Sequence, residues 1–374
     1  MGKSTNKQPS AVGSPISIDN DGDLILRVGG AATLKEPNKT VECKVDSTTL
    51  RRASPVFKAL LFSPRVETKV KPLLSDTEPW TVSLPEDEPG PFTILMGLAH
   101  AKYKFISRPW NTVMVNGLLI LADKYDMMHL LSLFTTSMRE VISDEINIVT
   151  APDIFMNLYS SWELGDEQSF AKALKTIILA TSLDKDDMTE LTYHGSKLTS
   201  QHHLGPADLL DYIAEVRLSI LTTLVDFINN EYKHCMTGNA CGVSAPQPVY
   251  FSRQRAANQL QIDEHTRFKK ICEDSNFGGF HRYFTACEDI PFFPINVGNI
   301  HHSFTEFRDS TMKLLQQMQS LSGHEQCSPS NRFQYHYQGL LDGTTSKRWE
   351  PENLIKQEHK EIMKKKREAF NSVV

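Results

Sequence analysis

The stretch LRRASPVF, from Leu50 to Phe57, decides how the first half of this chain is read. Ser54-Pro55 is a helix start. A Ser side chain accepts from the free N–H groups of a first turn, and Pro in that turn gives up an N–H that has no partner there. The residues before it therefore close one short helix, holding Leu50 and Ala53, with Asp46 or Ser47 as its cap. The residues after it open a second helix with Val56, Phe57, Leu60 and Leu61 as its apolar stripe.

Working outward, Asp21-Gly22-Asp23 is a turn followed by LILRV (24–28), an apolar run with β-branched members that reads as a strand. Gly29-Gly30 ends it, and a second strand follows over 40–45. Residues 63–80, with Pro64, Pro72 and Pro79, read as a loop; 81–84 is a third strand, and Pro85 to Pro91 turns into a helix ending near His100. Met114, Leu118, Leu121, Ala122 and Tyr125 recur at helical spacing, and another helix is expected over 128–141. Residues 21–145 thus form an α+β domain with short strands and a cluster of helices. Residues 1–20, rich in Ser, Pro, Asn and Lys, read as a disordered arm.

From 150 onward the pattern is helical, with no further strands expected. Helices are predicted over 152–163, 167–182 and 206–233. The last has Leu209, Ile213, Val216, Ile220, Leu224, Phe227 and Ile228 on one face. Further candidates lie at 253–273, 303–321 and 350–370. A mainly α-helical region over 150–330 would then be followed by a charged tail, 331–374, carrying a terminal helix.

Laid out in this way, residues 22–143 resemble the BTB/POZ domain, most closely its fungal members. The resemblance is carried by Gly22-Asp23-Leu24 and Leu50-Arg51-Arg52-Ala53-Ser54-Pro55-Val56-Phe57. It continues through Phe62-Ser63-Pro64, Leu84-Pro85-Glu86-Asp87-Glu88-Pro89 and Leu121-Ala122-Asp123-Lys124-Tyr125-Asp126. It implies a BTB/POZ domain over 21–145 in which Asp23, Leu24, Leu50, Ser54, Pro55, Phe57, Asp123 and Tyr125 build the scaffold and partners bind its surface. Asp123 and Lys124 are expected on the solvated side of their helix. One departure stands out. Many BTB domains carry His-Lys before the helix that holds Leu50, and that Lys helps line a charged pocket near the acid matching Asp23. Asp46 and Ser47 stand there in this chain. Residues 150–330 resemble the helical region that follows BTB in the fungal proteins, through Trp162-Glu163-Leu164-Gly165-Asp166, the helix with Glu215 to Leu224, and Gly323-His324-Glu325-Gln326-Cys327-Ser328.

The chemistry that sequence can reveal is sparse. No dinucleotide, Walker, nucleophile-elbow or zincin signature occurs, so the reading is of a protein that is not an enzyme. The net charge of −5 and pI of about 6.2 give no pull toward nucleic acid or an anionic membrane. No stretch approaches the roughly 18 apolar residues of a membrane span. The cysteines stand at 43, 235, 241, 272, 287 and 327, and reduced thiols of the cytoplasm or nucleus are expected. Cys241, Cys272, His324 and Cys327 would supply the four ligands of a structural zinc; the alternative is separate buried thiols and a surface histidine. Lys364-Lys365-Lys366-Arg367 reads as the solvated face of a charged helix, or else as a nuclear import signal or phosphate-contacting patch.

The expected function is a protein–protein interaction adaptor that forms a homodimer through the BTB domain and recruits protein partners. A cullin scaffold of a ubiquitin ligase is among those the resemblance permits. The alternative is a nuclear transcription or chromatin-associated protein using BTB for assembly.

Overall fold

The computed structural model describes residues 14–32, 39–63, 80–106, 109–145, 151–236, 295–316, 328–341 and 353–372, with 267, 270 and 350. The strands are β1 (Ile16–Ser17), β2 (Leu24–Gly29), β3 (Thr40–Val45), β4 (Trp80–Leu84), β5 (Thr181–Leu183), β6 (Leu191–Tyr193) and β7 (Ser196–Lys197). The first six helices are α1 (Ser47–Ala53), α2 (Pro55–Phe62), α3 (Pro89–Ala99), α4 (Thr112–Lys124), α5 (Thr135–Glu145) and α6 (Ala151–Leu164). Beyond them come α7 (Glu167–Ala180), α8 (Leu209–Met236), α9 (Phe304–Gln316), α10 (Pro329–Leu341) and α11 (Gln357–Asn371). The protein is α+β and falls into two units. One holds residues 1–170, 203–205 and 357–374; the other holds 171–202 and 206–356.

The sheet of the first unit has the order β1-β3-β2-β4. β2 and β3 are antiparallel, with Leu24 opposite Val45, while β4 runs parallel to β2 and β1 parallel to β3. Side chains alternate along a strand. Leu24, Leu26 and Val28 therefore share one buried face with Val82 and Leu84 of β4, and Arg27 meets Glu42 on the other at 2.8 Å. β2 stops where Gly29 and Gly30 take φ values of +89° and +100°, open to glycine without strain. β1 is a correction to the expected disordered arm. Ile16 and Ile18 give that short segment an apolar side, and Ile18 is buried. Residues 1–13 lie outside the described set, as do 64–79 of the predicted loop.

The helices pack on the sheet as the stripes require. Leu50, Phe57 and Leu61 are buried, but Val56 is exposed and Leu60 half-buried, so the stripe of α2 is narrower than expected. The helix expected over 128–141 is a 3-10 segment, Met128–Phe134, that runs into α5.

In the second unit strands return, contrary to the expectation that they end at 150. β5, β6 and β7 form an antiparallel sheet, and His194 and Gly195 between β6 and β7 both have positive φ, as a tight hairpin turn requires. These strands are two or three residues long, too short for alternation to register in sequence. α8 buries Leu209, Ile213, Val216, Ile220, Leu224 and Ile228. Around it lie Phe304 and Phe307 of α9 and Phe333 and Tyr337 of α10, all buried. α10 is a further correction, since it starts two residues before the stretch read as a charged tail. The helix candidate at 253–273 lies almost wholly outside the described residues. No helix among the described residues is long and apolar enough to cross a membrane.

Candidate interaction site

Residues from three of the blocks that carry the resemblance, 50–57, 84–89 and 121–126, meet in one bonded cluster. Ser54 caps α2 by accepting from the Phe57 N–H at 2.9 Å, and its hydroxyl donates to the Tyr125 carbonyl at 2.5 Å, 71 residues away. The Phe57 ring stacks on Tyr125, with centroids 4.4 Å apart and planes 13° from parallel, and Phe92 meets Tyr125 edge-on. The Tyr125 hydroxyl donates to Asp87, a buried carboxylate, which also takes the Lys124 ammonium at 2.5 Å. Burial and the Asp87 charge push the Tyr125 phenol well above its usual range. Lys124, expected on the solvated side of its helix, is 44% exposed, yet its charge is spent inward on Asp87.

Asp23 accepts from both the N–H and the hydroxyl of Ser47, each at 2.9 Å. The departure from His-Lys is thus filled locally. Asp46 caps α1 through the N–H groups of Thr48 and Thr49, and the Thr49 hydroxyl bonded to it holds its carboxyl below the usual range. The Asp46 N–H donates to Nε2 of His100, whose Nδ1 lies 2.9 Å from the Met96 carbonyl. His100 was missed in sequence. A lone histidine at a helix end gives no signal of a buried link to α1. Of the scaffold residues, Leu24, Leu50, Ser54, Phe57 and Tyr125 are buried, and Asp23, Pro55 and Asp123 are exposed.

Two features could receive a partner. The first is the outer face of α1 and α2. It carries Arg51, Arg52 and Lys58 with no carboxylate on either helix, in a chain of net charge −5. Val56 and Phe62 are 38% and 41% exposed there, and the Arg51 guanidinium lies 5.5 Å from the Phe62 ring centroid. Arg51, Pro55, Lys58, Ala59, Phe62 and Ser63 line an open hollow, a surface for apolar and acidic side chains.

The second is the meeting of α11 with α6. A cavity of about 220 Å³ is lined there by Asp123, Met128, His129, Glu163, Lys366, Ala369 and Phe370. The basic run 364–367 does not form one face: Lys364, Lys365 and Arg367 are exposed, while Lys366 is half-buried and reaches Glu163 at 2.5 Å.

The proposed zinc ligands Cys241, Cys272, His324 and Cys327 all lie outside the described residues. Among the described residues no group of three or more His, Cys, Asp or Glu side chains is arranged to hold a metal. Cys43 is buried beside Thr93 at 3.9 Å, and burial pushes its thiol up to about 11.

No family model, curated protein or solved structure matches this chain.

Proposed function

We propose that this chain is a protein-interaction adaptor that self-associates through a BTB/POZ-type domain over residues 21–145 and recruits protein partners, a cullin scaffold of a ubiquitin ligase among them. One observation carries the reading. Sequence blocks at 50–57, 84–89 and 121–126, which carry the likeness to that family, converge through Ser54–Tyr125 and Asp87–Tyr125, and Leu24 of block 22–24 lies in the same buried core. Their side chains are spent on scaffold, which leaves the solvent-facing helices as the working surface. The cationic and partly apolar face of α1 and α2 supports a protein partner, since cationic side chains around exposed aromatic area are the makings of an interface anchor.

Light scattering of the purified full chain at micromolar concentration should give twice the 42.3 kDa chain mass. A single-chain mass across that range would overturn the self-association. Affinity capture followed by mass spectrometry should recover a cullin in stoichiometric amount. Its absence, with other proteins recovered instead, would leave an adaptor of a different assembly.

A further inference from the structure

α11 rests on α6 through a small set of matched contacts. His359, Met363, Lys366 and Phe370 fall at i, i+4, i+7 and i+11, one stripe of the helix. Met363 is fully buried, and Phe370 enters the core of the first unit. The Lys366 ammonium pairs with Glu163 at 2.5 Å and lies 5.6 Å from the centroid of the Trp162 ring, which the His359 ring also meets edge-on.

The seat for this stripe is cut by Gly165. It has φ +64°, and a Cβ there would collide with the Met363 carbonyl and lie 2.9 Å from the Arg367 Cβ. Only glycine lets the backbone of α11 approach so closely. Arg139 fixes the rim by donating twice to the Leu164 carbonyl, at 2.8 and 3.2 Å. Beside the buried stripe the groove opens to solvent, where Asp123, His129 and Ala369 are exposed. The 220 Å³ cavity lies between Met128, His129 and Glu163 on one side and Lys366, Ala369 and Phe370 on the other. An amphipathic helix held in a groove by spaced anchors is a standard mode of peptide recognition.

We propose that Trp162, Glu163, Leu164 and Gly165 form a helix-docking site that also accepts α11 of a second copy, so that two chains exchange this helix. The occupant follows from the complementarity. Gly165 is shaped to the backbone at residue 363 and Glu163 to the charge at 366, so α11 from another copy makes identical contacts. In the single chain the tethered helix holds the seat by its high effective concentration, and exchange grows with protein concentration.

The test uses a fluorescein-labelled peptide of residues 353–374 and full-length chains, read by anisotropy. A chain carrying Met363→Asp and Phe370→Asp has its own helix disabled and its seat open. It should bind the peptide at least ten-fold tighter than the wild-type chain, and adding Gly165→Val should abolish that gain. No binding by the helix-disabled chain while it keeps its helical circular dichroism would overturn the proposal, as would equal binding with Gly165→Val. Should that chain fail to fold, hydrogen exchange of the wild type decides: α11 amides should exchange at least ten-fold faster than those of α6, and a common rate would overturn it. The peptide readout is indifferent to self-association through the β-sheet domain, so its failure leaves the adaptor reading standing.

Discussion

Phe57 shows how much a single position can say in advance. Ser54-Pro55 fixed the helix start, the start fixed the phase, and the phase put Phe57 inside, where it is fully buried against Tyr125. Phe57→Ala should cost roughly 3–5 kcal/mol, measured by urea unfolding of the full chain; an unchanged midpoint would mean that the stack contributes nothing. Asp87 was not legible in the same way, because Leu-Pro-Glu-Asp-Glu-Pro offers three carboxylates and only the fold selects which is buried. Cys43 gives a pH test. Burial raises its thiol from 9.0 to about 11 in the folded chain, so folding favours the protonated form. The stabilisation is complete below pH 9 and is lost as pH rises toward 11, on the order of 2–3 kcal/mol. Unfolding free energies of wild type and Cys43→Ala should therefore diverge less at pH 11 than at pH 8. Parallel curves would sink the assignment.

Elements were legible in proportion to their length and their caps. The helix expected over 206–233 carried a long periodic pattern and stands at Leu209–Met236, and the apolar run at 24–28 is the strand Leu24–Gly29. Ser303 and Glu306 form a reciprocal cap on α9, the Glu306 carboxylate accepting from the Ser303 N–H at 2.8 Å and the Ser303 hydroxyl from the Glu306 N–H at 3.2 Å. That Ser-x-x-Glu signal was present in the sequence and marks the start of α9 to the residue. Arg217 had no such signal, since one more cation in a long helix reads as surface. It is instead buried, donating to the carbonyls of Thr181, Ile300, His301 and His302 at 2.6–3.2 Å, and burial pushes its pKa down to about 10. It joins the start of β5 and the approach to α9 to the first third of α8. Removing a charged donor from buried acceptors leaves them unmet, so Arg217→Ala should destabilise the second unit by at least about 3 kcal/mol. Arg217→Lys should recover little, because one ammonium cannot reproduce the planar fork. Hydrogen exchange of α8 amides checks both, and full recovery by Lys would refute the role given to the fork.

At the scale of the whole molecule, local pattern placed a boundary near residue 145 and a terminal helix in a charged tail. The first unit instead runs to Phe170 and includes residues 357–374, dividing α7 at its first turn. Nothing local could announce this. Met363 and Phe370 look like isolated apolar residues in a charged helix, and Gly165 looks like an ordinary helix stop, until the two segments are brought together. Deleting residues 357–374 should therefore speed hydrogen exchange in β2 and α6 while leaving α8 as it was. Equal protection of β2 with and without those residues would contradict the shared core. The return of α11 also sets an order of events during synthesis. About 190 residues separate the end of α6 from the start of α11, which at roughly 5–20 residues per second takes the ribosome some 10–40 s. Throughout that interval the nascent chain carries Trp162 and Gly165 uncovered, so the first unit to emerge is among the last to finish, and a polysome holds several such open seats side by side.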